Sequence, residues 1–337
     1  MKKIIYLLLA FLVLLLVYLS GPKPSEDLVE CTLPVYPSNV KELQQFLAVK
    51  ESGHIIKPGN QAQIIWADSV PNRTKIVFLY LHGFGACAYE GMPIHLDIAK
   101  KYKANLYLAR LAFQGIDTSN AMYFLTMNNL WQSAVDAYAM AKQMGDSVII
   151  MSTSTGSTLA LMLAARYPEI KGLINYSPNI RLKDPLAFLI DNPWGLQIGR
   201  LVIGSDSFNY QLDAEFGKYW YCSYRLEAVV QLERLLETQM IPSTFKKVKQ
   251  PVLNLYYYKD ENHQDQMVNV EKVKWMHGLL ATPENKKRIF NVENAGDHIL
   301  ANPIRSKDVS TVFKQTSAFC DEILGLKADN LNMFKKY

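Results

Sequence analysis

The stretch "VIIMSTSTGSTLALMLAARYP", residues 148–168, places four hydroxyl residues, Ser152 to Thr155, between two apolar runs. The first run is short enough for a buried strand. The second carries the length and period of a buried helix and stops at Pro168. Strand, tight turn and helix together form the setting in which a serine is presented on a strained turn at the carboxyl end of a strand. The pattern is small-x-Ser-x-small, with Ser154 in the middle, Ser152 where glycine is commoner, and Gly156 giving room for close strand-to-helix packing. The alternative for Ser154 is an ordinary helix cap. Thr155 is expected to contribute only its backbone, and Ser157 and Thr158 fall inside the helix, where a hydroxyl can bond back to the preceding turn.

Outward from this turn, strand and helix alternate. "AQIIWADS", "TKIVFLYLHG", "ANLYLARL", "SVIIMSTS", "KGLINYSP", "PVLNLYYYK" and "KRIFNVEN" are short apolar runs, several apolar on both faces, as in a parallel sheet covered by helices. "MPIHLDIAKKY", "WQSAVDAYAMAKQM", "STLALMLAARYP", "NVEKVKWMHGLL" and "VSTVFKQTSAFCDEIL" carry the helical period between them. The fold class is therefore α/β, a doubly wound, mostly parallel sheet. Some seventy residues between Pro178 and Val252 break the alternation and hold eight aromatic residues from Trp194 to Tyr224. That exceeds what a connection needs and predicts a helical cap, residues 181–245, inserted after the sixth strand. Most of those rings build the cap's own core; Trp194, Trp220 and Tyr221 are candidates for contact with substrate.

A serine hydroxyl is a poor nucleophile until a base takes its proton, so Ser154 calls for an acid and then a histidine later in the chain. His298, in "NVENAGDHIL", lies on a loop at a strand's carboxyl end, a setting that His54, His95, His263 and His277 lack. For the acid, "PVLNLYYYKDENHQDQMVNV" offers two candidates. Asp260 directly follows the apolar run. Asp265 is followed by Met267 and Val268, apolar residues able to pack the loop back and fix a carboxylate, and is preferred for that reason. Oxyanion donors are expected from the backbone N–H groups of Phe84, in the turn His82-Gly83-Phe84-Gly85, and of Thr155; losing one typically costs about 3 to 4 kcal/mol in the barrier. His82 is expected to bond neighbouring backbone.

The N-terminus has Lys2 and Lys3, sixteen unbroken apolar residues from Ile4 to Leu19, and then Ser-Gly-Pro. Its length lies between a signal peptide and a comfortable span. No small-residue pair sits at the offset that cleavage needs, which favours a retained anchor over a cleaved signal, with the rest of the chain outside the cytoplasm. Cys31 is too far from the apolar run, and "LVEC" too acidic, for a lipid attachment site. Residues 1–21 form this segment, 22–50 read as a linker, 51–180 and 246–327 as the α/β core, and 328–337 as a polar tail. Of the four cysteines, Cys31 and Cys320 are a candidate disulfide, since domain termini often meet; four unpaired thiols are the alternative. A net charge of +5 without a dense basic block sets nucleic acid aside. No His, Cys or carboxylate cluster has ligand spacing, so no metal is implied, and no phosphate loop implies a nucleotide cofactor.

Strand-His82-Gly83, Ser154 on its turn, an aspartate after "PVLNLYYY" and Gly-Asp-His298, in that order, resemble the α/β-hydrolase superfamily from about residue 54 to 325. Within it the chain looks like the capped lysophospholipase, monoacylglycerol lipase and carboxylesterase group. "LYLARLAFQGID" departs from that group's Arg-Leu-Pro-Gly-His-Gly stretch, with Ala112 and Gln114 for Pro and His. The resemblance implies a serine hydrolase acting on a small-molecule or lipid ester. Two alternatives remain: an aminopeptidase-like serine peptidase, whose cap would hold the substrate amine with Asp213, Glu215 or Glu227, and an inactive fold serving as an anchored binding protein.

Overall fold

The computed structural model describes residues 2–24, 27–211 and 214–329. Seven strands form the central sheet: β1 (Gln63–Ile65), β2 (Thr74–Leu81), β3 (Asn105–Leu108), β4 (Gly145–Thr153), β5 (Gly172–Tyr176), β6 (Val252–Tyr256) and β7 (Lys287–Asn291), in the spatial order β1-β3-β2-β4-β5-β6-β7. Only β1 runs antiparallel to its neighbour. All seven fall on the seven apolar runs.

Strand β4 explains why this sheet needs helices on both faces. Val148 and Ile150 enter one core, and Ile149 and Met151 the other. The three residues from Ile149 to Met151 are fully buried, and each such side chain contributes about 1.5 to 3 kcal/mol relative to exposure. Helices α2 (Val40–Ser52), α4 (Met127–Met144), α5 (Thr155–Arg166) and α9 (Val270–Leu279) cover the first face, and α3 (Ile94–Lys101) and α10 (Val309–Glu322) the second.

Three expectations change. The segment read as a linker carries helix α2, capped by Asn39 and buried through Leu43 and Leu47. The insertion follows the fifth strand of the sheet, not the sixth: it lies between Tyr176 and Val252, and among the described residues before Gln63 the only β pairing is an isolated bridge between Ile56 and Ile116, which adds no strand to the sheet. Cys31 and Cys320 do not form a disulfide: they lie in separate cores on opposite faces of the sheet, and all four cysteines are free thiols.

Between β5 and β6 the chain builds α6 (Gly195–Ile203), a hairpin of Ser207–Asn209 with Ser223–Arg225, α7 (Leu226–Gln239) and the short α8 (Pro242–Phe245). Helix α1 (Lys2–Leu19) buries no residue and is long and apolar enough to cross a membrane. Its carboxyl end touches the insertion: Val17 O accepts from Trp194 Nε1 at 2.8 Å, and Pro22 O from Trp194 N at 3.2 Å.

Candidate active site

Ser154 stands at the junction of β4 and α5, with φ 54° and ψ −119°, a region that side-chain-bearing residues seldom occupy. The strain is held from three sides. Its N–H donates to Tyr176 O on β5 at 2.9 Å, while its carbonyl accepts from the N–H groups of Ser157 and Asn179. Gly156 is obligatory, because a β-carbon there would sit 2.0 Å from Leu81 O. Ser152, where glycine is commoner, is fully buried and bonds Asn175 Oδ1 at 2.9 Å and Ser157 Oγ at 3.0 Å. The departure from glycine thus anchors the turn to β5.

His298 lies on the loop after β7, its carbonyl accepting from Ser177 Oγ at 2.7 Å. Its Nδ1 donates to Asp265 Oδ2 at 2.7 Å. Asp265 is fully buried, and its other oxygen accepts from the N–H groups of Met267 at 2.8 Å and Val268 at 3.0 Å. Burial pushes the His298 pKa down, but the Asp265 carboxylate, with smaller contributions from Asp297 and Glu90, leaves the value above that of an ordinary histidine. Asp260 sits elsewhere, half-exposed on a small hairpin, where it pairs with His263 at 2.8 Å. Neither the Ser154 hydroxyl nor His298 Nε2 is hydrogen-bonded among the described residues, which leaves both available once a substrate is seated.

The N–H groups of Phe84 and Thr155 also meet no acceptor among the described residues, although Thr155 is fully buried. Gly83, beside Phe84, approaches closely: a β-carbon there would lie 3.2 Å from Ser154 Cβ. His82 is neutral, its pKa lowered to about 4 by burial, with Nδ1 donating to Gly83 O at 2.8 Å and Nε2 accepting from Leu111 N at 3.0 Å.

Of the three aromatic candidates, Trp220 and Tyr221 are buried over the turn His82–Gly85. Tyr221 N donates to Gly85 O at 2.8 Å, and Trp220 packs with Ala86 and Ile299. Trp194 is a correction: its ring lies against the end of α1, held there by its bond to Val17 O, and does not line the serine's surroundings. Two of the three carboxylates that could hold an amine are already paired. Glu227 bonds Arg200 and Arg225, and Glu215 bonds Lys218, while Asp213 lies outside the described residues. Residue-by-residue reading missed two buried side chains against the turn, Glu90 and Gln114. Gln114 drew notice only as a departure; its Oε1 accepts from Gly85 N at 2.7 Å.

The fold has counterparts among solved structures. A metagenome-derived lipolytic enzyme is 16% identical, with a TM-score of 0.63 over 79% of this chain and 99% of its own. The monoacylglycerol lipase of Paleococcus ferrophilus is 12% identical, with a TM-score of 0.55 over 79% and 98%. A soluble variant of the Saccharomyces cerevisiae monoglyceride lipase is 12% identical, with a TM-score of 0.56 over 77% and 91%. The chain has the α/β-hydrolase fold. No family model matches it, and no curated protein matches it in sequence. At such identities the likeness lies in the hydrolase fold itself, with the elbow carried by local residues such as Gly156.

Proposed function

We propose that this protein is a membrane-anchored serine hydrolase that cleaves carboxylic esters of apolar acyl groups. The observation that carries the reading is the Asp265–His298 pair and a serine held at positive φ, brought to the same end of β5: Tyr176 O accepts the Ser154 N–H, and the next residue, Ser177, donates its hydroxyl to the His298 carbonyl. Ser154 Oγ attacks the ester carbonyl while His298 Nε2 takes its proton. Asp265 holds the imidazole in the right tautomer and stabilises the imidazolium. The Phe84 and Thr155 N–H groups receive the oxyanion. His298 then returns the proton to the departing alcohol, and water, activated by the same histidine, releases the acyl group.

The apolar acyl preference rests on the insertion and the anchor. Helix α6 is amphipathic in the inverse sense: Arg200 pairs inward with Asp206 and Glu227, while Ile198, Leu201 and Val202 face outward. Leu186, Phe188 and Leu189 are exposed nearby in sequence. An apolar patch of this kind marks an interaction surface. It belongs to the segment that Trp194 ties to the end of α1, so a bilayer crossed by α1 would meet it, and an ester dissolved in that bilayer would lie close to the cap. The same neighbouring proteins named as lipases support an ester over a peptide bond, as do the paired states of Glu215 and Glu227.

The test is fluorophosphonate labelling of the full chain in detergent, with Ser154→Ala alongside, followed by aryl-ester turnover from acetyl to decanoyl. Labelling that disappears in Ser154→Ala, with turnover rising beyond acetyl, is the expected result. A folded chain that takes no label would instead point to a binding protein.

A further inference from the structure

Glu90 is a carboxyl group that the proposed mechanism does not use, yet it is 2% exposed and lies against the oxyanion turn. Its Oε1 accepts the Gly83 N–H, and its Oε2 lies 3.2 Å from where a β-carbon on Gly83 would stand, the same distance as Ser154 Cβ. On the far side of the turn, Gln114, fully buried, accepts the Gly85 N–H. Three successive N–H groups are thus divided. The first and third are tied back by buried side chains, and only the middle one, on Phe84, is left without an acceptor among the described residues.

We propose that Glu90 and Gln114 are positioning residues that clamp the two flanking amides so that the Phe84 N–H is presented to the oxyanion. The inference rests on the hydrolase reading. A neutral carboxyl suits this place, because a charged one would stand beside the developing oxyanion. Two negative charges roughly 6 Å apart at an effective dielectric near 20 would slow the step on the order of 100-fold.

The surroundings favour the neutral form. Burial pushes the Glu90 pKa up to about 8, although the Gly83 N–H, His298, Tyr80 on β2 and the Trp220 indole each pull it down. Cys87, on the same turn, is the other titratable neighbour; burial holds its thiol protonated, with a pKa of about 12. Glu90 is therefore neutral below about pH 8 and ionised above it. His298 must be neutral to act as base, and its raised pKa places the acid limb above that of a free histidine. Activity should therefore be a bell, rising through the His298 value and falling again above about pH 8.

The experiment is kcat and KM for an aryl ester across pH 6 to 10, using the full chain in detergent and the variants Glu90→Leu, Glu90→Gln and Gln114→Leu. Glu90→Leu and Gln114→Leu are expected to lower kcat about 10- to 100-fold with KM little changed. Glu90→Gln keeps an acceptor for Gly83 and cannot ionise, so it should recover most of the Glu90→Leu loss and hold its rate above pH 8. A parent enzyme that labels and turns over, but whose Glu90→Gln variant keeps the parent's alkaline fall, overturns this inference alone, as does full kcat in Glu90→Leu. A folded parent that neither labels nor turns over overturns the hydrolase reading, and this inference with it. Should Glu90→Leu fail to fold, the Glu90→Gln profile still decides.

Discussion

The turn around Ser154 and the insertion between β5 and β6 are built by opposite means. At the turn, buried polar side chains tie down the frame: Ser152 bonds Asn175, Glu90 Gly83, Gln114 Gly85, and Asp265 His298 and two backbone amides. The insertion is held by stacked rings, such as Phe216 on Trp220 at 4.0 Å, and by partly exposed ion pairs, and it leaves apolar side chains facing out. A buried, hydrogen-bonded frame fixes atoms to the tolerance that chemistry requires. Rings and surface pairs tolerate displacement, which suits a segment that must admit a substrate. Under the proposed function, the contrast assigns the chemistry to the sheet and the choice of substrate to the insertion.

The largest expected effect tests whether chemistry belongs to the buried frame alone. Asp265→Asn removes the acceptor that sets the His298 tautomer and should lower kcat on the order of 10⁴-fold. Asp260→Asn alters only an exposed hairpin and should change it less than about twofold. Ester turnover of the two variants, each with parent-like circular dichroism, measures both. The reverse ranking would move the chemistry onto the hairpin and erase the distinction.

That acid shows what a sequence can and cannot disclose. Asp265 stands out from Asp260 because apolar residues follow it. Val268 is indeed buried, while Met267 is 39% exposed and serves through its backbone N–H. The sheet was legible because its five inner strands are short runs of mostly buried residues and the two edge strands, β1 and β7, are short and half-buried, and the turn at Ser154 because only small residues fit its spacing. Contacts made across the chain were not. Nothing in "ACAYEG" marks Glu90 as facing Gly83, since a lone acid in a polar turn has the same local pattern as a solvated one. Helix α2 was hidden by the proline-bearing stretch before it. Trp194 was misplaced because an aromatic residue in a cap carries no signal of which side it faces; its partner, the end of α1, is more than 170 residues away in the chain.

A pair of glycines sharpens the comparison through stability. Gly156→Ala places a methyl group against the Leu81 carbonyl, where overpacking of backbone costs about 1 to 3 kcal/mol or more and should lower Tm by roughly 2 to 4 °C or more. Gly199 lies mid-helix in α6, where a β-carbon would make ordinary contacts with the Ile190 side chain, at 3.4 Å to Cδ1 and 3.6 Å to Cγ1. Gly199→Ala should therefore raise Tm by about 1 to 3 °C, from the usual helical preference for alanine. Thermal unfolding of both variants in one detergent gives the answer, and equal losses would mean the insertion is packed as tightly as the turn.

The smallest effect concerns the outward face of α6. With α1 in a bilayer, binding is already secured by the span, so the exposed Leu201 and Val202 can add little to how much protein is membrane-bound. What they can change is how long the cap rests on the surface, and thus how readily a bilayer-dissolved ester reaches Ser154. Leu201→Glu with Val202→Glu replaces two groups, each worth about 1.5 to 3 kcal/mol when buried, with charges that resist burial. In vesicles of neutral phospholipid, turnover of a long-chain ester carried in the bilayer should fall about 3- to 10-fold. Hydrolysis of a water-soluble butyryl ester by the same vesicles should stay within about twofold, because it never passes through the lipid. Only a ratio of the two rates that shifts ties the apolar face to substrate delivery; a common fall in both would assign α6 to the stability of the insertion, and the division between a rigid catalytic frame and a substrate-selecting cap would have to be redrawn.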